Sequence, residues 1–255
     1  MTFPDISSAR DFDFIIPRWP VPAQVRAACT TRAGGVSPAP YESLNLGDHV
    51  GDDPLAVSEN RARLRRALSL PGEPRWLQQV HGVCAVDGAD LNVSCQADAC
   101  FAAQADVVCA VLTADCLPLL LCDRAGTQVA AVHAGWRGLV HGVIENSLDK
   151  FTATAADMLV WLGPAIGPQA FEVGEEVRAE FVAHDAQAGA AFQPHGEHWL
   201  ADLYALARQR LAARGVTSVF GGEYCTYADA ARFYSYRRDG VTGRMASLIW
   251  LADRV

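Results

Sequence analysis

A dense series of short apolar runs in the first two thirds of the chain constrains the fold more than any other feature. Runs typical of β-strands, with short breaks between them, lie at residues 76–82, 83–87, 105–112, 117–123, 128–135 and 158–163. These strands outnumber what a simple alternation of strands and helices requires. The pattern therefore predicts an α+β fold in one domain, with mixed β-sheets.

Helices are predicted on both sides of these runs. Asp53 and Pro54 are a typical N-cap and first-turn pair, and the helix that they begin should end before Pro71 and Gly72. Apolar residues recur at helical spacing over about 137–151, which predicts a second helix. Two further helices are expected near 175–184 and 200–214, and three further strands at 216–220, 231–236 and 244–251.

The composition excludes several classes of protein. The 255 residues are 51% hydrophobic with a net charge of -8, which is typical of a globular chain and not of a disordered one. An acidic pI near 5.3 argues against a nucleic-acid-binding surface. The apolar runs fall far short of the roughly 18 residues of a membrane span. The eight cysteines form no CxxC pair, and the first residues have no apolar stretch typical of a secretion signal. We therefore expect a cytoplasmic protein without disulfides.

Three short segments each place a metal-binding residue type at the end of a predicted strand. They are QVHG (79–82), TADCLP (113–118) and HAGWRG (133–138), which contain His81, Cys116 and His133. Two imidazoles and a thiolate form a three-ligand zinc set that leaves a fourth position for water or substrate. The intervals of 35 and 17 residues match no compact zinc motif. From spacing alone, a structural role for each histidine stays open.

A series of segments, in order along the chain, resembles the YfiH family. They are TTRAGGVS, ESLNLGDHVGDD, ENR, WLQQVHG, TADCLPLLL, AVHAGWRGL, LGPAIGP-x-x-FEVG and FYSYRRDGVTGRMASLIW. Members of this family are also labelled laccase-domain proteins, polyphenol oxidoreductases or peptidoglycan editing factors. The similarity spans about residues 26–250, so we expect residues 1–255 to form one YfiH-like domain with a short variable segment over about 1–20.

The resemblance implies a metal site, a fold and an activity. The family's His, Cys and His bind one metal ion, usually zinc, which assigns His81, Cys116 and His133 as ligands. Its fold has mixed β-sheets sandwiched between helical layers, and it is related to a group described as cysteine hydrolases. Members are described as phosphorylases of adenosine, inosine and methylthioadenosine that also deaminate adenosine. The implied partners are a purine nucleoside and phosphate, and neither nucleic acid nor a membrane.

The laccase label is tested by counting histidines. Multicopper oxidases hold their copper ions with about ten histidines, largely in HxH pairs, because imidazole suits copper. This chain has seven histidines and no HxH pair. We therefore expect laccase not to be the primary function, although Cu²⁺ bound at the same three residues in vitro could give weak oxidation.

Four further residues are candidates for substrate binding. Arg32, which precedes Ala33 and two glycines, and Arg137, at a predicted helix start, are candidates for holding phosphate. Asn45 and Gln78 are candidates for placing the nucleoside. For each of them, a role in a turn, a loop or a strand edge is the structural alternative.

Three functional hypotheses follow. The resemblance favours a zinc-dependent purine nucleoside phosphorylase with adenosine deaminase activity. In this hypothesis Asp115 acts as a catalytic acid/base or supports a metal ligand, and a role in a turn is the structural alternative. The second hypothesis is a cysteine hydrolase of cell-wall precursors, with Cys116 as nucleophile and His133 as base. The third is a structural zinc site closed by a fourth protein ligand. The sequence carries no signal for a particular oligomeric state.

Overall fold

The computed structural model describes residues 12–90 and 96–252, and these residues form twelve strands and six α-helices. The strands are β1 (Val25–Cys29), β2 (Ala85–Asp87), β3 (Ala99–Ala102), β4 (Val108–Thr113), β5 (Leu117–Asp123), β6 (Val129–Ala134), β7 (Met158–Leu162), β8 (Glu172–Val173), β9 (Phe192–His195), β10 (His198–Ala201), β11 (Ser218–Gly221) and β12 (Met245–Leu251). The helices are α1 (Pro54–Ala67), α2 (Trp136–His141), α3 (Val143–Leu148), α4 (Glu175–His184), α5 (Leu203–Ala213) and α6 (Tyr236–Asp239). The α+β class is therefore confirmed.

Two sheets form the centre of the molecule. One is antiparallel, with strand order β1-β12-β4, and the other is mixed, with order β11-β7-β5-β6-β3-β2. In the six-stranded sheet the β11–β7 and β2–β3 pairs are parallel and the other pairs are antiparallel. A small third sheet has order β8-β10-β9. Because β4 and β5 belong to different sheets, the short connection at 114–116 crosses from one sheet to the other.

Alternating side chains on the central strands separate the core into layers. On β5, Leu119 and Leu121 pack with residues of α2–α5, whereas Leu120 and Cys122 pack against the three-stranded sheet. The opposite face of the three-stranded sheet is covered by α1, which contributes Leu64. Burying one leucine contributes roughly 1.5–3 kcal/mol, so this alternation fixes the register of the strands. The predicted arrangement, sheets sandwiched between helical layers, is confirmed.

Most predicted elements occur close to their expected places. The strand β5 and the helix α4 have the predicted bounds, and α1 starts at Pro54 with the Asp53 side chain accepting a hydrogen bond from the backbone N–H of Leu55. The single helix predicted over 137–151 is wrong, because the chain forms α2 and α3 there. Gly142 separates them with a φ of 100°, a left-handed conformation that ends a helix.

The strand predicted at 76–82 is also wrong. The segment runs beside β4 and makes only isolated backbone bridges. The Gln79 side-chain amide accepts a hydrogen bond from the backbone N–H of Leu112 (2.7 Å) and donates one to its carbonyl (2.8 Å). The Gln79 side chain therefore replaces the backbone hydrogen bonds that would join this segment to β4 as a strand. A hydropathy pattern does not reveal such a replacement.

The strand predicted at 231–236 is wrong for a different reason. Phe233 and Tyr234 are fully buried in the core between the two central sheets, although their backbone joins neither sheet. The segment leads into the short helix α6, whose N-cap is Ser235. Its apolar character reflects packing and not strand pairing.

The described cysteines are free thiols, whereas Cys95 lies outside the described residues, as do residues 1–11 of the predicted variable segment. The absence of disulfides from the whole chain stays a prediction. None of the helices that the structure describes is long and apolar enough to cross a membrane.

Candidate metal centre

The three predicted metal ligands meet where the two central sheets adjoin. His133 lies near the end of β6 and pairs with Pro118 of β5, so it is close to Cys116, which directly precedes β5. His81 follows the segment that runs along β4. The site therefore combines residues from the six-stranded sheet with a loop held beside the three-stranded sheet.

The spacing of the donor atoms fits a metal ion. One ligand atom of each residue lies within 4.8 Å of the others, and the Cys116 Sγ atom is 3.7 Å from His81 Nε2. A tetrahedral zinc ion, about 2.3 Å from sulfur and 2.0–2.1 Å from nitrogen, places such atoms roughly 3.5 Å apart. Within residues 12–90 and 96–252 no other three His, Cys, Asp or Glu side chains form such a group.

Two backbone features allow this close approach. His81 has a φ of 60°, in the left-handed region that residues other than glycine rarely adopt. Gly135 follows β6, and a Cβ atom there would lie 2.8 Å from His81 Cδ2 and 3.0 Å from Cys116 Sγ. Any larger residue at this position would push two ligands apart, so the glycine of the HAGWRG segment is part of the site's geometry.

A buried carboxylate holds both histidines in place. Asp98 Oδ1 accepts hydrogen bonds from the His81 backbone N–H (3.0 Å) and from His133 Nδ1 (2.7 Å). Its Oδ2 accepts from the backbone N–H groups of Gly82 (2.6 Å) and Val80 (3.3 Å). With Nδ1 engaged, His133 presents Nε2 to the site. A carboxylate behind a metal-ligating histidine fixes its tautomer and orientation in this way.

The electrostatics of the metal-free site favour an ion pair. Burial disfavours the Cys116 thiolate, but the charge of His133 and hydrogen bonds from both imidazoles outweigh it and lower the pKa of Cys116 to about 6. Burial also disfavours the His133 imidazolium, yet the Cys116 charge and the Asp98 hydrogen bond raise the pKa of His133 to about 9. A thiolate is the form in which cysteine binds metals.

Comparison with known proteins identifies the family. A family model described as a multi-copper polyphenol oxidoreductase laccase matches residues 26–252. The chain belongs to this laccase-domain family. A Pseudomonas aeruginosa protein named purine nucleoside phosphorylase is 57% identical to it over 242 residues, which are 94% of this chain and 99% of the relative. The Escherichia coli K12 protein named purine nucleoside phosphorylase YfiH is 57% identical over 239 residues, covering 93% and 98%.

Solved structures agree with this assignment. A Neisseria meningitidis protein matches the laccase-domain chain with a TM-score of 0.91 and 49% identity, covering 94% of this chain and 99% of that one. A Bacillus licheniformis hypothetical protein YfiH matches with a TM-score of 0.84 and 28% identity, covering 89% and 93%. The resemblance to the YfiH family is therefore confirmed.

In this laccase-domain protein, Asp115 lies beside the metal ligands but is fully engaged. Its carboxylate accepts hydrogen bonds from Thr226 Oγ1 (2.6 Å), Ser235 Oγ (3.0 Å) and the backbone N–H of Arg237 (2.7 Å). Its φ of 103° turns the chain from one sheet to the other. These contacts tie the 226–237 segment to the site, which is the structural alternative weighed for Asp115.

The four predicted substrate residues make different contacts within the protein. Arg32 donates to the carbonyls of Glu42 and Ala230. Buried Asn45 uses its amide to bond Gly47, Asp52 and the backbone N–H of Arg244. Gln78 makes a backbone bridge to Gln96, and Arg137 is exposed with its guanidinium over the Trp136 ring. The contacts of Asn45 are those of a loop-holding residue, whereas Arg137 faces solvent.

Asp98 and Gly135 were not among the residues singled out from the sequence. Asp98 is followed by a short apolar strand, and its partners lie 16 to 35 residues away, so no local pattern marks it. Gly135 belongs to the unusual HAGWRG segment, where a glycine two residues after a candidate ligand was an available signal.

Proposed function

We propose that the protein is a metal-dependent purine nucleoside phosphorylase that acts on adenosine, inosine and methylthioadenosine. The observation that carries the proposal is the 57% identity, over almost the whole length of both chains, to proteins named purine nucleoside phosphorylase. The cluster of His81, Cys116 and His133 supports it, since it is a ready donor set for a divalent ion.

The proposed reaction exchanges one bond at the anomeric carbon. The C1′–N9 bond breaks with its electron pair going to the purine, a phosphate oxygen bonds to C1′, and the proton of hydrogen phosphate passes to the base. The products are the free purine and ribose 1-phosphate. Positive charge develops on the ribose during this exchange, so a phosphate anion held beside it stabilises the transition state.

We propose zinc as the metal, with His81, Cys116 and His133 as ligands. A bound zinc ion supplies Lewis-acid stabilisation of an oxygen of the substrate or of a water. The thiolate favours zinc or Cu⁺ over Mg²⁺, and the single three-residue cluster among the described residues is smaller than a multicopper cluster requires. We therefore propose that copper-dependent oxidation is a side reaction.

The chain's own residues hold this donor set. Asp98 keeps the Nδ1 proton of His133 and so leaves Nε2 free to bind. Gly135 leaves room for His81 and Cys116 to approach each other. Asp115, which directly precedes Cys116, holds the 226–237 segment in place through its contacts with Thr226 and Ser235.

A second proposed activity is the deamination of adenosine to inosine and ammonia. It uses the same metal, because attack at C6 of the purine requires an activated water. The decisive assay incubates zinc-loaded protein with adenosine. With phosphate, adenine and ribose 1-phosphate are expected, and without phosphate a slower formation of inosine.

Chelation and ligand variants test the metal assignment. Chelation should abolish both activities and added Zn²⁺ should restore them. Cys116→Ala should lose the bound metal, whereas Cys84→Ala, at an exposed cysteine, should retain it. Equal metal content in the two variants would contradict the ligand assignment, and a metal-loaded, folded protein that forms neither product would contradict the proposed function.

A cysteine hydrolase remains the second candidate, because one observation favours it. Cys116, His133 and Asp98 are arranged as a nucleophile, a base and an orienting carboxylate. Hydrolysis of a cell-wall precursor that persists in chelator and is lost on alkylation of the metal-free thiol would establish this alternative.

A further inference from the structure

Arg244 lies at one end of the three-stranded sheet, near the connection that carries Cys116. It immediately precedes β12, whose first residue, Met245, pairs with Thr113, so it stands opposite the connection that leads to Cys116. Its backbone N–H donates to Asn45 Oδ1 (2.9 Å), and its carbonyl accepts from the backbone N–H of Leu46 (3.2 Å). The loop at 45–47 therefore fixes the position of Arg244 from one side.

The guanidinium of Arg244 has no carboxylate partner. Its Nη1 donates to the carbonyls of Thr242 and Gly243, both at 3.0 Å, and its Cζ lies 6.0 Å from the centre of the Tyr236 ring. No carboxylate oxygen of the described residues comes within ion-pairing distance of it. Nε and Nη2 are left without a protein acceptor in the part of the chain that the structure describes.

Arg61 shows how another partly buried guanidinium of this molecule is compensated. Burial lowers the pKa of both guanidinium groups. Arg61 is compensated by Asp48, whose carboxylate oxygen is 3.3 Å away. For Arg244 the charges of Cys116 and Asp115 partly offset the effect of burial on its pKa, although neither group forms a hydrogen bond or ion pair with it. A half-buried, unpaired guanidinium next to a metal site favours an external anion as its partner.

A second group without a partner belongs to the same segment as Arg244. The Thr242 hydroxyl is buried, with 2% of the residue exposed, and it has no hydrogen-bond partner in the protein. Arg244 Nη1 bonds to the carbonyl of the same Thr242, so the guanidinium and this hydroxyl belong to one short segment. Buried hydroxyls usually have a partner, and an unmatched one indicates a ligand or a water.

We propose that Arg244, assisted by the Thr242 hydroxyl, binds the phosphate co-substrate beside the metal ligands. The planar guanidinium matches two phosphate oxygens, and the hydroxyl supplies a further donor. The inference rests on the proposed phosphorylase function and deepens it. It places phosphate at Arg244 and not at Arg32 or Arg137, the positions favoured by the sequence. Arg32 commits two of its nitrogens, Nε and Nη1, to protein carbonyls, whereas Arg244 commits only Nη1. Arg137 is exposed, with its guanidinium over the Trp136 ring.

The charge of Asp115 does not exclude phosphate from this place. Its carboxylate accepts two hydroxyl hydrogen bonds and one backbone N–H, which spread its charge. Two close oxyanions repel each other, so the metal's positive charge and Arg244 have to act together. We therefore expect phosphate to bind more weakly to metal-free protein than to zinc-loaded protein.

Kinetics and direct binding test the inference together. In zinc-loaded Arg244→Gln, the KM for phosphate should rise about 100-fold, whereas the KM for adenosine and the phosphate-independent deamination should change by less than about threefold. Thr242→Val should raise the KM for phosphate about tenfold, as expected for one hydrogen bond. The matched control is Arg208→Gln, since Arg208 also donates to two backbone carbonyls and has no carboxylate partner among the described residues, but it lies on α5. It should leave both KM values unchanged.

Calorimetry with inorganic phosphate separates this inference from the proposed function. If the native protein performs no phosphorolysis, the proposed function fails. The inference still stands if phosphate binds the native protein and Arg244→Gln abolishes that binding. Arg244→Lys keeps the charge and loses the planar fork, so a folded Lys variant should bind phosphate about tenfold more weakly. Absence of phosphate binding by the native zinc-loaded protein, or binding by both folded Arg244 variants within threefold of native, would overturn the inference. Loss of binding in Arg32→Gln instead would do the same.

Discussion

Replacing Asp98 by asparagine should damage the metal centre more than its small chemical change suggests. The two side chains have the same shape, but asparagine exchanges one acceptor oxygen for an NH₂ donor. In the native site, Oδ1 serves His81 and His133 and Oδ2 serves Val80 and Gly82. An asparagine satisfies only one of these two pairs.

Both orientations of the asparagine are unfavourable. If its oxygen faces His133, the NH₂ group meets the N–H groups of Val80 and Gly82, and two partly buried donors lose their acceptor. If its NH₂ faces His133 instead, Nδ1 has to accept, the ring proton moves to Nε2, and the nitrogen that should bind the metal is blocked. Each unmatched buried group costs about 1–3 kcal/mol. We therefore expect a loss of roughly 2–4 kcal/mol in the free energy of unfolding of the metal-free protein, together with about 10–100-fold weaker zinc binding.

Asp123→Asn is the matched control for this experiment. Asp123 is equally buried, and its carboxylate accepts hydrogen bonds from two backbone N–H groups and one hydroxyl, but it lies at the far end of β5. Denaturant titration should show a loss of stability in both variants, whereas competition with a chromophoric chelator should show weaker zinc binding only in Asp98→Asn. Native zinc affinity in a folded Asp98→Asn protein would refute the positioning role of Asp98.

Three further outcomes are expected. Gly135→Ala should weaken zinc binding at least tenfold by forcing His81 and Cys116 apart, with a smaller effect on folding. Competition with a chelator measures the zinc affinity, and an unchanged affinity would contradict the close approach of the two ligands. In metal-free protein, the rate at which iodoacetamide alkylates Cys116 should rise with pH and reach half its maximum near pH 6, because the thiolate is the reactive form and the pKa of Cys116 is lowered to about 6. Mass spectrometry measures this rate. A rate that still climbs above pH 8, as for an ordinary thiol of pKa about 8.5, would argue against the ion pair. Leu120→Ala should lower the free energy of unfolding by about 2–5 kcal/mol, since this side chain is fully buried between the sheets, and a loss below about 1 kcal/mol in denaturant titration would contradict that packing.

The sequence predicted those elements whose own hydropathy decides their structure. The strand β5 is apolar on both faces because a sheet covers one face and helices cover the other, and its bounds were predicted from the run itself. The segments at 76–82 and 231–236 carry similar apolar residues, but distant contacts decide their conformation. Gln79 bonds to Leu112, 33 residues away, and the segment after Phe233 is held by Asp115. Such contacts leave no periodic pattern in the sequence.

The candidate site was predictable only in part, for the same reason. His81, Cys116 and His133 were named from their residue types and from the family resemblance, since the intervals between them match no metal motif. Asp98 and Arg244 act through backbone groups and residues far along the chain, so their environment exists only in the folded molecule.

The position of the ligands between two sheets has a consequence for the lifetime of the protein. His81 is held beside the three-stranded sheet, whereas Cys116 and His133 adjoin the six-stranded sheet. A bound ion is therefore a cross-link between two layers whose contact is mainly apolar. Any partially unfolded state in which the sheets separate has to release the ion first, so a free ion concentration about 100 times the dissociation constant suppresses that state by about 2.7 kcal/mol. Proteolysis that proceeds through sheet separation should accordingly slow about 100-fold when zinc is abundant and accelerate when cells are starved of it.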